Sequence, residues 1–181
     1  MVDTIDATEA KWNELTGGYG AMSTWREQAI RGIRPGDVFV VKRTFTREDT
    51  EIFGDITRDY NPVHYDGRFA AGKGLKGLIC HGLLVGGMIC EIGGQIAWLA
   101  SGMTFKFLKP VYFGDTITCT LMITDVDGKN RARAIAEYVN QDGEKVIEGS
   151  LTGRLPDESD ARILRDMITG GDETYPLRGK R

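Results

Sequence analysis

Two stretches of this sequence put proton-moving groups within a few residues of one another. The first is Thr57-Arg58-Asp59-Tyr60-Asn61-Pro62-Val63-His64. Asp59 follows Ile52 by seven residues and Ile56 by three, on the apolar face of a helix expected over 46–60. A carboxylate on such a face is partly desolvated, which raises its pKa and favours its neutral form. Pro62 bars the helix from continuing and turns the chain, so His64 is expected to fold back toward Asp59. An acid and an imidazole meeting in an apolar cleft can hold one water between them. They can take a proton from it and return one to carbon, which is general acid–base work. The competing reading is ordinary turn chemistry, with Asp59 capping backbone amides and His64 a satisfied structural histidine.

The second stretch is Cys80-His81-Gly82, at the start of a long apolar segment. The first N–H groups of a helix have no intrahelical partner and sit at the positive end of its dipole. Gly82 leaves that end open to a carbonyl oxygen, and its N–H can stabilise negative charge developing there. The alternative for the His81 side chain is that it only helps start the helix. Glu91, further along the segment, is either a buried, satisfied acid or a second catalytic candidate. Gly72-Lys73-Gly74-Leu75-Lys76-Gly77 spells G-x-G-x-x-G. It follows a helical turn rather than a strand and lacks a βαβ unit, so a dinucleotide site is rejected. Lys73 and Lys76 there, and Lys106 and Lys109 around Phe105, Phe107 and Pro110, either meet an anionic substrate tail or are solvated lysines.

The elements that must position these groups follow from pattern. Val38 to Phe45 is β-branched and aromatic and reads as a strand. Thr46 with Asp49 three residues later starts the helix that carries Asp59, and Asn61-Pro62 ends it. Phe69 to Ala71 reads as a short helical turn and His81 to about Leu99 as one long buried helix. Strands are expected over 103–108, 115–125, 131–140 and 145–155, with Asp127-Gly128 and Asp142-Gly143 as hairpin signals between the last three. A helix spans about 21–33 in the leader, and the charged tail holds a short helix near 160–168 or none. Strands segregated from helices argue α+β. A helix apolar all round must be covered on most sides, and a curved antiparallel sheet wrapped around it is the simplest cover. The expected organisation is a leader over 1–34, one domain over 35–156 and a charged tail over 157–181.

Composition narrows the class. The chain has 181 residues, enough for a single domain with a real core, and a net charge of −3, which leaves no electrostatic footprint for nucleic acid. Cys80, Cys90 and Cys119 lack disulfide or zinc spacing and read as reduced, buried thiols. Gly82 to Ala100 is apolar but contains Glu91 and Gln95, which argues for a buried helix rather than a membrane span. Residues 1–10 are acidic and polar, unlike a secretory signal, so the cytoplasm is expected.

Asp59-Tyr60-Asn61-Pro62-Val63-His64, with Ala70 six residues on, resembles the D-x-N-P-x-H signature of the MaoC-like dehydratases, which include the R-specific enoyl-CoA hydratases. Cys80-His81-Gly82-Leu83-Leu84 resembles that family's helix start, and Phe105 to Val111 followed by Gly114-Asp115-Thr116 its next strand and turn. The resemblance implies a hot-dog fold, a homodimer or an oligomer of dimers, and reversible hydration of a 2-enoyl thioester of coenzyme A or acyl carrier protein. It implies no metal and no redox cofactor. Asp59 and His64 would activate the water and the Gly82 N–H would polarise the thioester carbonyl. Asn61, Pro62, His81, Gly87, Lys106 and Lys109 are the expected substrate-binding positions. Two residues depart from the pattern: Arg58 stands where glycine is usual, and Gly87 where serine is often found. Two other functions compete: a hot-dog thioesterase using Glu91, and a non-catalytic acyl-thioester binding module.

Overall fold

The computed structural model describes residues 22–171; the expectations about residues 1–10 and the end of the tail lie outside them. The chain begins with α1 (Met22–Arg31) and β1 (Val38–Thr44). Then come α2 (Arg47–Thr57), a 3-10 turn (Pro62–His64) and α3 (Gly67–Gly72). Two helices, α4 (Gly82–Gly86) and α5 (Met88–Gln95), precede β2 (Leu99–Phe107), β3 (Thr116–Val126), β4 (Arg131–Val139), β5 (Lys145–Arg154) and α6 (Glu158–Gly170).

The five strands form one antiparallel sheet in the order β1-β3-β4-β5-β2. Alternation decides its faces. Ile117, Cys119, Leu121 and Ile123 on β3 are buried, as are Ala132, Ala134, Ala136 and Tyr138 on β4, while the residues between them are more exposed. The buried face packs with Val85 of α4 and Met88, Ile89 and Ile92 of α5 in one core. Tyr138 crosses that core and donates from its hydroxyl to the Gly86 carbonyl at 2.7 Å, satisfying a helix-end acceptor that would otherwise be stranded. A sheet curved against central helices is the α+β hot-dog arrangement.

At the far end of α5, buried Arg26 of α1 donates from its Nε to the Gln95 carbonyl and from its Nη2 to the Gly94 carbonyl, both at 3.2 Å. A guanidinium there meets the negative end of the helix, and this fastens α1 to the domain. α1 also packs against α6. Among the described residues no helix is long and apolar enough to cross a membrane.

Four expectations are corrected. The long helix over 81–99 is two shorter ones that break at Gly87 and end at Gln95. The Gly86-Gly87 and Gly93-Gly94 pairs weaken helix propensity at both places, and Ala97 then takes a left-handed φ of 53°. The next strand accordingly starts at Leu99, before the expected 103. The helix pair is also open on one side, where Leu83, Cys90 and Gly94 are exposed. Cys90 is therefore not a buried thiol, unlike Cys80 and Cys119. Finally, of the expected apolar face of α2, Ile52 and Ile56 point outward, with Ile56 76% exposed, Tyr60 lies exposed beyond the helix end, and the helix packs instead through Thr50, Gly54 and the half-buried Phe53.

Candidate active site

α2 begins with the expected capping box: the Thr46 side chain accepts from the Asp49 N–H, and the Asp49 side chain accepts from the Thr46 N–H. It ends at Thr57. Arg58 then adopts a left-handed conformation, φ 59° and ψ 27°, which reverses the chain. That backbone favours glycine, which accounts physically for the glycine usual at this position. Asp59 is thus beyond the helix and not on its apolar face. Its side chain is 51% exposed, so the burial expected to hold it neutral is absent in the free chain.

The turn is fixed by its own polar groups. The Asn61 N–H donates to Asp59 Oδ1 at 3.2 Å, and Asn61 Oδ1 accepts from the Val63 N–H at 3.4 Å. Pro62 opens the 3-10 turn, where a missing N–H costs nothing. The turn carries His64 inward, where it is buried. Its Nδ1 lies 2.8 Å from the Ile79 carbonyl, which can only accept, so Nδ1 carries the proton and Nε2 keeps a lone pair. Burial, foremost, and the neighbouring His81 lower the His64 pKa; the Ile79 bond and Asp59 oppose this. The net effect keeps the imidazole neutral near pH 7, the state a general base requires.

His81 comes from the other stretch and packs against His64, ring centroids 3.9 Å apart and planes tilted by 32°. It is fully buried, with Phe53 at 5.2 Å and Tyr65 at 6.0 Å between ring centroids. Its Nε2–H donates to the Asp59 carbonyl at 2.9 Å, and the Asp59 carboxylate is 3.9 Å from the same nitrogen. Gly54 makes this packing possible, because a Cβ there would lie 1.8 Å from the Tyr65 hydroxyl. Gly82 has a similar function: a Cβ would lie 2.7 Å from the Phe107 ring, which rests on the first turn of α4.

These groups share one cleft of about 620 Å³, lined by Asp59, His64, His81, Gly82, Phe107 and Lys109 among others. One ligand-capable atom from each of Asp59, His64 and His81 lies within 4.8 Å of the others. Two histidines and a carboxylate at that separation could hold a divalent transition metal. The same three groups are also of the types that acid–base chemistry uses without an ion. Cys80 also lines the cleft, but burial pushes its thiol up to about 11, so it offers no thiolate near neutral pH.

The remaining candidates divide. Asn61 and Pro62 frame the turn without lining the cleft. Lys109 lines it and is paired with Glu144 at 2.5 Å. Lys106 is exposed on β2, outside the cleft, in register with Glu148 of β5. Gly87 joins α4 to α5, also outside the cleft. Glu91 is held by Arg43 of β1 at 2.7 Å and does not reach the cleft. Lys73 lies over the Phe69 ring, 5.4 Å from its centroid, within cation–π range. Sequence reasoning missed Tyr65, Gly54 and the Ile79 carbonyl. A glycine inside an otherwise regular helix was the available signal for Gly54.

The MaoC like domain family matches residues 34–145. The chain belongs to this family. Its curated relatives include the mitochondrial 3-hydroxyacyl-(acyl-carrier-protein) dehydratase FERN of Solanum lycopersicum, 30% identical over 68% of this chain and 78% of that one. The (R)-specific enoyl-CoA hydratase of Rhodospirillum rubrum is 27% identical over 68% of this chain and 89% of that one. Among solved structures, the unliganded R-hydratase PhaJ1 of Pseudomonas aeruginosa superposes with a TM-score of 0.65 at 28% identity. That match covers 71% of this chain and 86% of the other. The MaoC-like match begins after α1 and ends at Lys145, the first residue of β5, so both terminal helices fall outside it.

Proposed function

We propose that this MaoC-like chain catalyses the reversible hydration of a 2-enoyl thioester to a 3-hydroxyacyl thioester, with Asp59 and His64 as the acid–base pair. The names of its relatives favour the (R)-alcohol and leave both coenzyme A and acyl carrier protein as carriers. One observation carries the reading: a neutral imidazole, its Nε2 lone pair set free by the Ile79 carbonyl, shares a cleft with a carboxylate bonded to no cation in the described structure.

In hydration, His64 Nε2 takes a proton from water as the hydroxyl oxygen bonds to C3 of the acyl group. The C2=C3 electron pair moves toward the thioester carbonyl, and the enolate oxygen meets the unpaired N–H of Gly82. The pair then returns a proton to C2 and the carbonyl re-forms. Bound substrate covers Asp59, supplying the desolvation that the free chain lacks. The steps need side chains and a backbone N–H only, with no metal or redox group. Glu91, committed to Arg43, does not favour the thioesterase reading.

The working unit is a homodimer. β2 is an edge strand, unpaired on its outer side among the described residues, and its Leu99, Met103 and Phe107 are exposed. A long apolar edge left bare invites pairing with a second copy. Hydration of crotonyl-CoA and longer enoyl-CoA thioesters by wild type, Asp59→Asn and His64→Gln tests the chemistry. Losses of about 100- to 10,000-fold in kcat are expected for each variant. If both retain wild-type turnover on the best substrate, the assignment is wrong.

A further inference from the structure

β2 and the helix pair run past one another with matched spacing. Two residues of strand advance about 6.6 Å and four residues of helix about 6 Å, so a ring on every second strand position meets every fourth helix position. Phe107 rests on Gly82, where a Cβ would be 2.7 Å from its ring, and Phe105 rests on Gly86, where the distance would be 3.2 Å. The next pair in this series is Met103 and Cys90, and both line a second, smaller cleft of about 170 Å³.

The two clefts are therefore consecutive along the same seam. The first has Phe107 and Ile147 in its wall, and the second has Met103 and Leu151. Each of these is a registered pair between β2 and β5. Between them lies Phe105, registered with Gly149, and neither residue lines either cleft. The absence of a side chain at Gly86 and Gly149 lets the Phe105 ring lie across the seam. Its ring is held edge-on to Tyr138 at 6.5 Å and stacked against Phe107 at 6.4 Å. The second cleft is lined by Ile89, Trp98, Met103, Leu121 and Leu151, side chains suited to an alkyl chain and to nothing charged.

We propose that Phe105 is a specificity-determining wall: it ends the acyl pocket short of the second cleft and restricts the enzyme to short acyl thioesters. This rests on the acyl-thioester reading above. An acyl chain entering past Gly82 runs along the seam and meets the Phe105 ring. Removing the ring joins the clefts and gives a longer chain an apolar place to lie.

The test uses the full chain and reads catalysis and binding separately. The ratio of kcat/KM for 2-octenoyl-CoA to that for crotonyl-CoA is measured in wild type, Phe105→Ala and the milder Phe105→Leu. Calorimetry compares the affinities of octanoyl-CoA and butyryl-CoA, which cannot be hydrated. Both ratios are expected to rise about tenfold or more in Phe105→Ala, the scale on which alkyl groups are discriminated in apolar pockets. A smaller rise is expected in Phe105→Leu, and adding Met103→Trp to Phe105→Ala should reverse the gain by refilling the second cleft. Wild-type hydration with both ratios unchanged in the two Phe105 variants overturns the wall and leaves the proposed reaction standing. No hydration, but an affinity ratio that rises as expected, overturns the reaction and supports the wall. Failure of every acyl-CoA and of the matching acyl-(acyl-carrier-protein) thioesters to bind overturns both.

Discussion

Two carboxylates stand beside the central helices, and their surroundings could hardly differ more. Asp59 faces the cleft, accepts from a backbone N–H of its own turn and has its carbonyl held by His81. Glu91 faces β1 and is neutralised by the Arg43 guanidinium at 2.7 Å. Both residue types offer the same chemistry, so what separates them is commitment. An acid already bonded to a cation is a fastening, and one left with an open lone pair beside an uncharged imidazole is available for the proton transfer proposed above. The same contrast separates the two histidines. His64 keeps Nε2 free, whereas His81 commits its Nε2–H to the main chain and is walled in by rings.

The most forceful way to break this contrast is to exchange the consequences of mutation. His64→Gln should lower kcat about 100- to 10,000-fold, while Glu91→Gln should stay within about threefold of wild type on the same substrate. A large loss in Glu91→Gln with little in His64→Gln would reverse the assignment. Next in size is Gly54→Ala. Its new methyl would collide with the Tyr65 hydroxyl, displacing the ring that flanks His81. About 1–3 kcal/mol of stability should be lost, read by denaturant unfolding, together with turnover. Unchanged stability would show that Tyr65 can swing away without cost.

A pH titration sharpens the comparison of the histidines. Burial lowers the folded-state pKa of His64, so between that value and the ordinary 6.5 the unfolded chain binds the extra proton and the folded chain does not. The stability contributed by neutral His64 is thus full above about pH 6.5 and falls as the pH drops toward the folded-state pKa. The acid limb of kcat/KM for hydration should have its midpoint below about 6.5 for the same reason. A midpoint above 6.5 would mean that Asp59, not burial, governs the ring.

Smallest is Arg58→Gly. Arg58 occupies a left-handed backbone that costs a side-chain-bearing residue about 1 kcal/mol, partly offset because glycine adds freedom to the unfolded chain. A gain of about 0.5 kcal/mol in stability is expected by chemical denaturation, and a loss would show that the Arg58 side chain contributes contacts outweighing the strain.

Much of this was legible in the sequence because it is local. The Thr46/Asp49 capping box, the Asn61-Pro62 turn, the strand boundaries within a residue or two from β3 onward and the α+β class all follow from neighbours in the chain, whereas the hot-dog fold was implied by the family resemblance of the Asp59–His64 and Cys80–Leu84 motifs. The hairpin signals were partly read: Gly143 does take the left-handed position expected at Asp142-Gly143, but after Asp127-Gly128 that role falls to Asn130, with φ 57°. The long helix was not legible, because periodicity reports which residues share a face and not where paired glycines let the axis break. The outward direction of Ile52 and Ile56 was hidden for a related reason. An apolar stripe predicts a partner, but the small residue on the other side decided how α2 seats. The stacking of His64 on His81, 17 residues apart in sequence, arises only when the turn and α4 are brought together. Asp59 does share a cleft with His64, but the expected reason was wrong, since it is the turn beyond the helix and not the helix face that aims it.

The atom that selects the tautomer of His64 is a main-chain oxygen, that of Ile79. Every residue type supplies that oxygen, so drift at position 79 cannot erase the choice while the backbone holds its course. Evolution is left free to reshape the alkyl lining around the imidazole without disturbing which of its nitrogens keeps the lone pair.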